Sequence, residues 1–343
     1  MEHPISIGIV GLGRLGKRHA ENLAKRVPGL SLVAAGSPID TERAWAEESL
    51  GIATYPDLGA LLAHPGLEAV WLVTPTSLHA EQSIQVLEAG KHLFCEKPLS
   101  LDIEPCDRVI AVARKHPAQA AMIGFMRRFD PAYAEVKRAI SSGELGHVFR
   151  IHAESHDPVD PNAFFIKFAP TSGGIFLDCC IHDIDLVRWM LDGARPIKVS
   201  AAGTRVMYPG LGSCGDVDTA AASVEFEGVS GEGPALATFH VSRTSQRGYE
   251  ATMSVTGTEG ALTCGRDLCD LPIVRERSGG TAAIGQADFF SRFGGAFLLE
   301  ANAFVATLHS GSFGLGSLED AREATRIAVA MRESLERGES VCL

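Results

Sequence analysis

Ile7-Gly8-Ile9-Val10-Gly11-Leu12-Gly13-Arg14-Leu15-Gly16 reads as a strand, a glycine-rich turn with G-x-G-x-x-G spacing, and the first turn of a helix. Few folds can use such a segment. Gly11 permits a tight turn, Gly13 lets the backbone approach a pyrophosphate, and Gly16 lets helix pack closely on strand. A helix that starts there offers free N–H groups and the positive end of its dipole to an anion. The reading for these residues, Gly11, Leu12, Gly13, Arg14, Leu15 and Gly16, is dinucleotide binding. The alternative is a turn that serves packing alone.

The spacing further along supports the same fold. Strand signals at Ile5–Val10, Leu30–Ala35, Ala69–Val73, His92–Cys95 and Gln119–Ile123 alternate with helical signals at Arg14–Val27, Thr41–Leu50, Leu78–Ala89 and Ile103–Lys115. Alternation of this kind predicts a doubly wound parallel α/β sheet. After Gly124 the pattern changes. A helix over Pro131–Ile140 is followed by β-type runs at Val148–Glu154, Ile197–Met207, Thr219–Phe226, Ala235–Val241 and Ala251–Thr256, with helices at Phe297–Leu308 and Leu318–Leu335. Strands in succession predict a large, mostly antiparallel sheet in a second α/β domain. The expected division is a Rossmann NAD(P)-binding domain over 1–125 and a substrate-binding and oligomerisation domain over 126–343.

The residue that reads the adenosine ribose belongs about twenty positions after the glycines, at the end of the second strand. Ser37 stands there. Its hydroxyl can donate to a 2′-phosphate and Arg43 can pair with one, which leans to NADP; Asp40 is the counter-evidence for NAD. Thr74 and Pro75, which end the third strand signal, and His79 just beyond are further cofactor-side candidates.

Two segments carry the chemistry. Cys95-Glu96-Lys97-Pro98 follows a strand of the parallel sheet, and ligands bind at carboxyl ends of such strands. Lys97 there can hydrogen-bond a substrate hydroxyl and ease its deprotonation. The second runs from Gly173 to Trp189. If helical, Asp178, His182, Asp185 and Trp189 fall on one stripe, as a lined cleft requires. Histidine is the natural base near neutral pH, so His182 is the candidate to take the proton of an alcohol, with Asp178 beside it. A satisfied core histidine is the competing reading. A metal pair from Asp178 and His182 is another, and no third ligand stands nearby in sequence.

Together the glycine motif, Glu96-Lys97-Pro98 and the Gly-Gly…Asp178…His182 segment resemble the Gfo/Idh/MocA oxidoreductase family, over nearly the whole chain. Gly124–Tyr133, Ile181–Asp185, Val217–Thr219 and Phe289–Phe293 are similar to segments of its inositol dehydrogenases. The resemblance implies hydride transfer between a ring secondary alcohol of an inositol, polyol or pyranose and nicotinamide, without metal. It implies that Lys97 polarises the hydroxyl, His182 takes its proton and Asp178 assists. Glu96 and Arg127 would lie on the cofactor side. Arg127, Asp157, Cys179 and Arg247 would join Lys97, Asp178 and His182 around substrate. Homodimers or homotetramers would form through the second sheet. The same site in other relatives drives glycosidic elimination with retained NAD, and some members act as nucleotide-binding regulators. This sequence departs from the pattern at Ser37, at Phe168–Thr171, at Cys179-Cys180 and at Arg247, positions that bear on cofactor and substrate choice.

Composition excludes other classes. The net charge of −11 opposes binding to nucleic acid or anionic membrane. The eight cysteines form no CxxC pair, so the usual structural zinc spacing is missing and reduced thiols are expected. Met1–Pro4 leads into an apolar run too short for a signal segment, and a cytoplasmic setting is expected.

Overall fold

The computed structural model describes residues 3–163, 165–228, 233–265, 288–311 and 316–343. Cys269 lies outside them. The described chain forms two compact units, Met1–Met126 with Gly295–Thr325, and Arg127–Gly294 with Arg326–Leu343. Gly295–Thr325 thus groups with the first unit, although it was expected in the second domain. Its side chains explain why: Phe297 and Phe304 pack on His19 and on Trp71, with ring centroids 5.4 and 5.7 Å apart.

In the first unit six parallel strands, β1 (Ile5–Val10), β2 (Leu30–Gly36), β3 (Ala53–Tyr55), β4 (Ala69–Leu72), β5 (His92–Glu96) and β6 (Ala121–Gly124), lie in the order β3-β2-β1-β4-β5-β6. Helices α1 (Arg14–Lys25), α2 (Asp40–Leu50), α3 (Leu58–Leu62), α4 (Thr76–Glu88) and α5 (Ile103–Ala113) connect them. Strands buried on both faces need continuous apolar sequence. Ala69-Val70-Trp71-Leu72 supplies it, every residue at 0% exposure. β3 and α3 escaped the sequence reading because three strand residues and five helical ones carry too short a period. The strand order reverses between β1 and β4, so the carboxyl ends of β1, β4 and β5 are contiguous at the switch point, where such sheets bind ligands.

In the second unit the described elements are α6 (Pro131–Ser141), β7 (Val148–Pro158), α7 (Phe165–Ser172), a π turn over Phe176–Cys180, α8 (Ile181–Met190), β8 (Pro196–Thr204), β9 (Thr219–Phe226), β10 (Ala235–Ser245), β11 (Glu250–Gly257), β12 (Ala261–Cys264) and β13 (Val341–Cys342). The seven strands lie in the order β12-β11-β7-β10-β9-β8-β13. Only the β7–β10 pair among them is parallel. The sheet is therefore mixed and mostly antiparallel, as expected. Strict alternation in β9 and β11, buried at every second residue, gives one core face and one open face. The helices α9 (Phe289–Ser310) and α10 (Leu318–Arg337) complete the chain; the division between units falls within each of them.

Candidate active site

The first unit carries the nucleotide side. Gly11 has φ +94°, and a Cβ there would lie 2.4 Å from the Val73 carbonyl oxygen. A Cβ on Gly16 would come within 1.9 Å of the Gly11 carbonyl oxygen. These two glycines are compelled by the turn itself. Gly13 differs: a Cβ there meets nothing within 4 Å. It is the N-cap of α1 and makes no side-chain hydrogen bond, so no side chain of its own occupies the space beside the helix start. An open, uncapped helix N-terminus with no Cβ in the way is a cradle into which the pyrophosphate of a dinucleotide fits. Leu12 is fully buried, while Arg14 is exposed and Leu15 half-buried.

At the end of β2 the structure redistributes the expected roles. Ser37 is fully buried and its hydroxyl donates to the Glu42 carboxylate at 2.5 Å while accepting from the Ile39 amide at 3.1 Å. Arg43 donates to the Ser37 carbonyl at 2.6 Å and pairs with Asp40. The serine and arginine that suggested a phosphate site are engaged by their own loop, and a carboxylate, Glu42, stands beside them. Glu42 was missed because it lies inside α2, where periodicity marks it only as a helix residue.

Lys97 follows β5 and is half-buried, with a cis peptide bond to Pro98. Its amide donates to Glu96 Oε2 at 3.2 Å. Glu96 is buried, and its Oε1 lies 2.8 Å from His19 Nε2. A Cβ on Gly124 would stand 3.1 Å from that carboxylate, so β6 needs a glycine there. His79 is buried and its two ring nitrogens lie 2.7 Å from the Pro98 and Thr74 carbonyl oxygens. Burial draws its pKa below the ordinary histidine value, while the two carbonyls and Glu96 pull upward. His79 ties together the loops after β4 and β5; it holds Thr74-Pro75 and Pro98 in place and is too buried to be a ligand contact. Thr74 Oγ1 donates to Gln82 Oε1 at 2.6 Å.

The second unit carries the other candidates. Asp178 sits in the π turn and His182 in the first turn of α8, 8% exposed. Single π turns inside helices recur at functional sites. This one breaks the uniform α register that put Asp185 and Trp189 on the same stripe. Asp185 is buried and takes two hydrogen bonds from Arg128, at 2.8 and 2.6 Å, so it is part of the core; Trp189 lies under the same guanidinium at 5.9 Å. Arg243, nearly buried, bridges Asp178 Oδ2 at 2.9 Å and Asp216 Oδ2 at 3.0 Å. Burial disfavours its charge, yet Cys179, Asp178 and Asp216 outweigh it and hold the guanidinium protonated well above its usual range. Asp216 Oδ1 in turn accepts from the Ile175 amide at 2.9 Å. Arg243 and Asp216 orient Asp178, and sequence reading missed both because they lie far from it along the chain. Cys179 Sγ is 3.5 Å from Asp157 Oδ2, which brings two more candidates together.

Arg127 is not placed to touch a ligand. It is 2% exposed and bonds Asp183 Oδ1 at 2.6 Å, Ser155 Oγ at 2.9 Å and Tyr249 Oη at 3.0 Å. Burial opposes its charge and Asp183 restores it, while burial pushes the Tyr249 phenol up to about 12. Arg247 pairs with Glu250 at 3.4 Å. Among the described residues, Asp178 and His182 belong to no group of three metal-ligating side chains close enough to hold an ion.

Comparison with known proteins follows the same division. The profile of the Gfo/Idh/MocA oxidoreductase family, NAD-binding Rossmann fold, matches residues 5–125, and that of the GFO/IDH/MocA C-terminal domain matches 133–263. The chain is 37% identical to the scyllo-inositol 2-dehydrogenase (NAD(+)) of Bacillus subtilis, over 100% of this chain and 97% of that protein. It is 34% identical to the myo-inositol 2-dehydrogenase of Thermotoga maritima, over 98% of each. The crystal structure of scyllo-inositol dehydrogenase from Lactobacillus casei with bound NAD(H) and scyllo-inositol superposes with a TM-score of 0.89 at 35% identity, covering 98% of both chains.

Proposed function

The chain belongs to the Gfo/Idh/MocA family of NAD-binding oxidoreductases, and on that premise we propose that it is an inositol dehydrogenase that works with NAD in preference to NADP. The observation that carries the substrate class is the end-to-end likeness to inositol dehydrogenases, in which both units match. Glu42 carries the cofactor preference. Its carboxylate, hydrogen-bonded to Ser37 at the end of β2, can accept from a ribose 2′-hydroxyl and repels a 2′-phosphate, which reverses the lean drawn from Ser37 and Arg43. A cytoplasmic enzyme, assembled as a homodimer or homotetramer through the seven-stranded sheet, completes the reading.

The bound nicotinamide supplies the acceptor for the hydride that leaves the ring carbon. The alcohol must also lose its hydroxyl proton, and in this reading His182 takes it. Lys97 donates a hydrogen bond to the same oxygen and stabilises the charge that grows as the proton departs. Asp178, held by Arg243, keeps a fixed carboxylate for a substrate hydroxyl, with Cys179 and Asp157 adjacent. Products are the ketone, reduced cofactor and one proton.

The test is the near-ultraviolet absorbance of reduced nicotinamide, followed with NAD⁺ and NADP⁺ against scyllo-inositol, myo-inositol, pyranoses and linear polyols. Steady reduction of NAD⁺ with an inositol is the expected outcome. Turnover on pyranoses alone would overturn the substrate class. No net reduction on any substrate by a protein that binds NAD⁺ would favour redox-assisted glycosidic elimination or a regulatory role.

A further inference from the structure

The seven-stranded sheet has a core face, with Ala153, Phe239 and Met253 buried, and an open face whose residues alternate with them. On the open face β7 presents Glu154 and His156, two residues apart. Register places His240 of β10 beside Glu154, and Thr252 and Glu250 of β11 beside Glu154 and His156. His156 Nε2 lies 3.1 Å from His240 Nδ1, and Glu154 Oε1 lies 3.9 Å from the same nitrogen. One ligand atom from each of the three residues falls within 4.8 Å of the others.

We infer that Glu154, His156 and His240 form a binding site for a divalent first-row metal ion of the zinc type, on the face opposite Ser155 and its partner Arg127. This inference is independent of the proposed substrate and cofactor, and it places the site on the sheet face proposed for assembly, so the ion would sit at that interface. Two imidazoles and one carboxylate are a borderline donor set, which suits Zn²⁺ and its neighbours and not Mg²⁺ or Ca²⁺. The spacing agrees: bonds of about 2.0–2.1 Å in a tetrahedral shell set ligand atoms about 3.3 Å apart. The two ring nitrogens, 3.1 Å apart, are already near that separation, and Glu154 Oε1 must move closer than its present 3.9 Å from His240 Nδ1. Without an ion, two imidazole nitrogens facing each other leave a single shared proton; with one, both lone pairs are used.

The surrounding contacts match a metal shell. Glu250 Oε2 lies 3.5 Å from His156 Nδ1, on the ring side away from the centre. A proton on Nδ1 leaves Nε2 as the lone-pair donor, the tautomer a metal needs. Thr252 Oγ1 donates to Glu154 Oε2 at 3.1 Å, and His152 Nε2 lies 3.1 Å from Glu154 Oε1. The ligands stand on two strands paired along their length, so little ordering is required when an ion enters.

The experiment uses the full chain, stripped with chelator and titrated with Zn²⁺ in competition with a chromophoric indicator. One ion per chain is expected. His156→Ala and His240→Ala should each weaken binding by about 100-fold or more, and Glu250→Gln by about tenfold. Should alanine variants fail to fold, His240→Gln carries the same expectation. Substituted Co²⁺ should give ligand-field bands without thiolate charge transfer. Failure to bind, binding unchanged in the His156→Ala/His240→Ala double variant, or a thiolate band that assigns the ion to cysteine would each overturn the site.

Discussion

At single residues, the chemistry turns on where charge is held. Lys97 owes its position to the strand end and to Glu96, which receives the Lys97 amide and is itself engaged by His19. Lys97→Ala should lower kcat by about 100- to 10,000-fold, the range for losing an acid–base group, with NAD⁺ affinity by fluorescence titration nearly unchanged. Near-normal turnover would remove Lys97 from the mechanism. Glu42 governs a different choice. Glu42→Ala removes the carboxylate that would face a 2′-phosphate, and the NADP⁺/NAD⁺ ratio of kcat/KM should rise by about tenfold, or ~1.4 kcal/mol. An unchanged ratio would mean that Glu42 does not read the ribose. Neither Glu42 nor Arg243 was legible in sequence, since each acts through a side-chain contact, one from α2 back to the end of β2 and the other 65 residues from its partner Asp178.

For the elements, the turn between β1 and α1 separates two roles of glycine. Gly16 and Gly11 are required by the backbone that passes them, whereas Gly13 faces open space. Gly13→Val should therefore fold with only the modest stability loss of a poorer helix cap and bind NAD⁺ poorly, because the added side chain enters the space offered to the pyrophosphate. Gly16→Ala should lower the melting temperature, since its Cβ has no room beside the Gly11 carbonyl. Thermal unfolding with and without NAD⁺ distinguishes them; equal cofactor affinity in Gly13→Val and the parent would refute the cradle. The glycine spacing was legible because it is local. The π turn at Phe176–Cys180 was not. An amphipathic stripe counts residues at a constant angle, and one wider turn shifts every residue after it, which is how Asp185 came to pair with Arg128 in the core.

For the molecule as a whole, the second unit is organised around buried ion pairs on the core side of its sheet. Arg127–Asp183 and Arg128–Asp185 are each 2% exposed at both side chains. Removing one partner strands a charge out of water, so Arg127→Met should cost about 3–5 kcal/mol in denaturant unfolding. A cost near zero would show that the site admits solvent. The sequence by itself marked the presence and type of both sheets and five strands of each, because hydrophobic period and glycine spacing are properties of short windows, and left the short β3, β12 and β13 unmarked; it also marked Lys97, Asp178 and His182, which lie on or beside recognisable motifs. The tertiary structure alone decided which polar groups meet. Arg127 became a buried support for Asp183, Ser37 a partner of Glu42, and Glu154 and His156 neighbours of His240. The first and last of those pairings follow from strand register and helix phase over separations of 56 and 84 residues, and the Ser37–Glu42 contact from how the chain turns between β2 and α2; composition and local pattern carry no record of these.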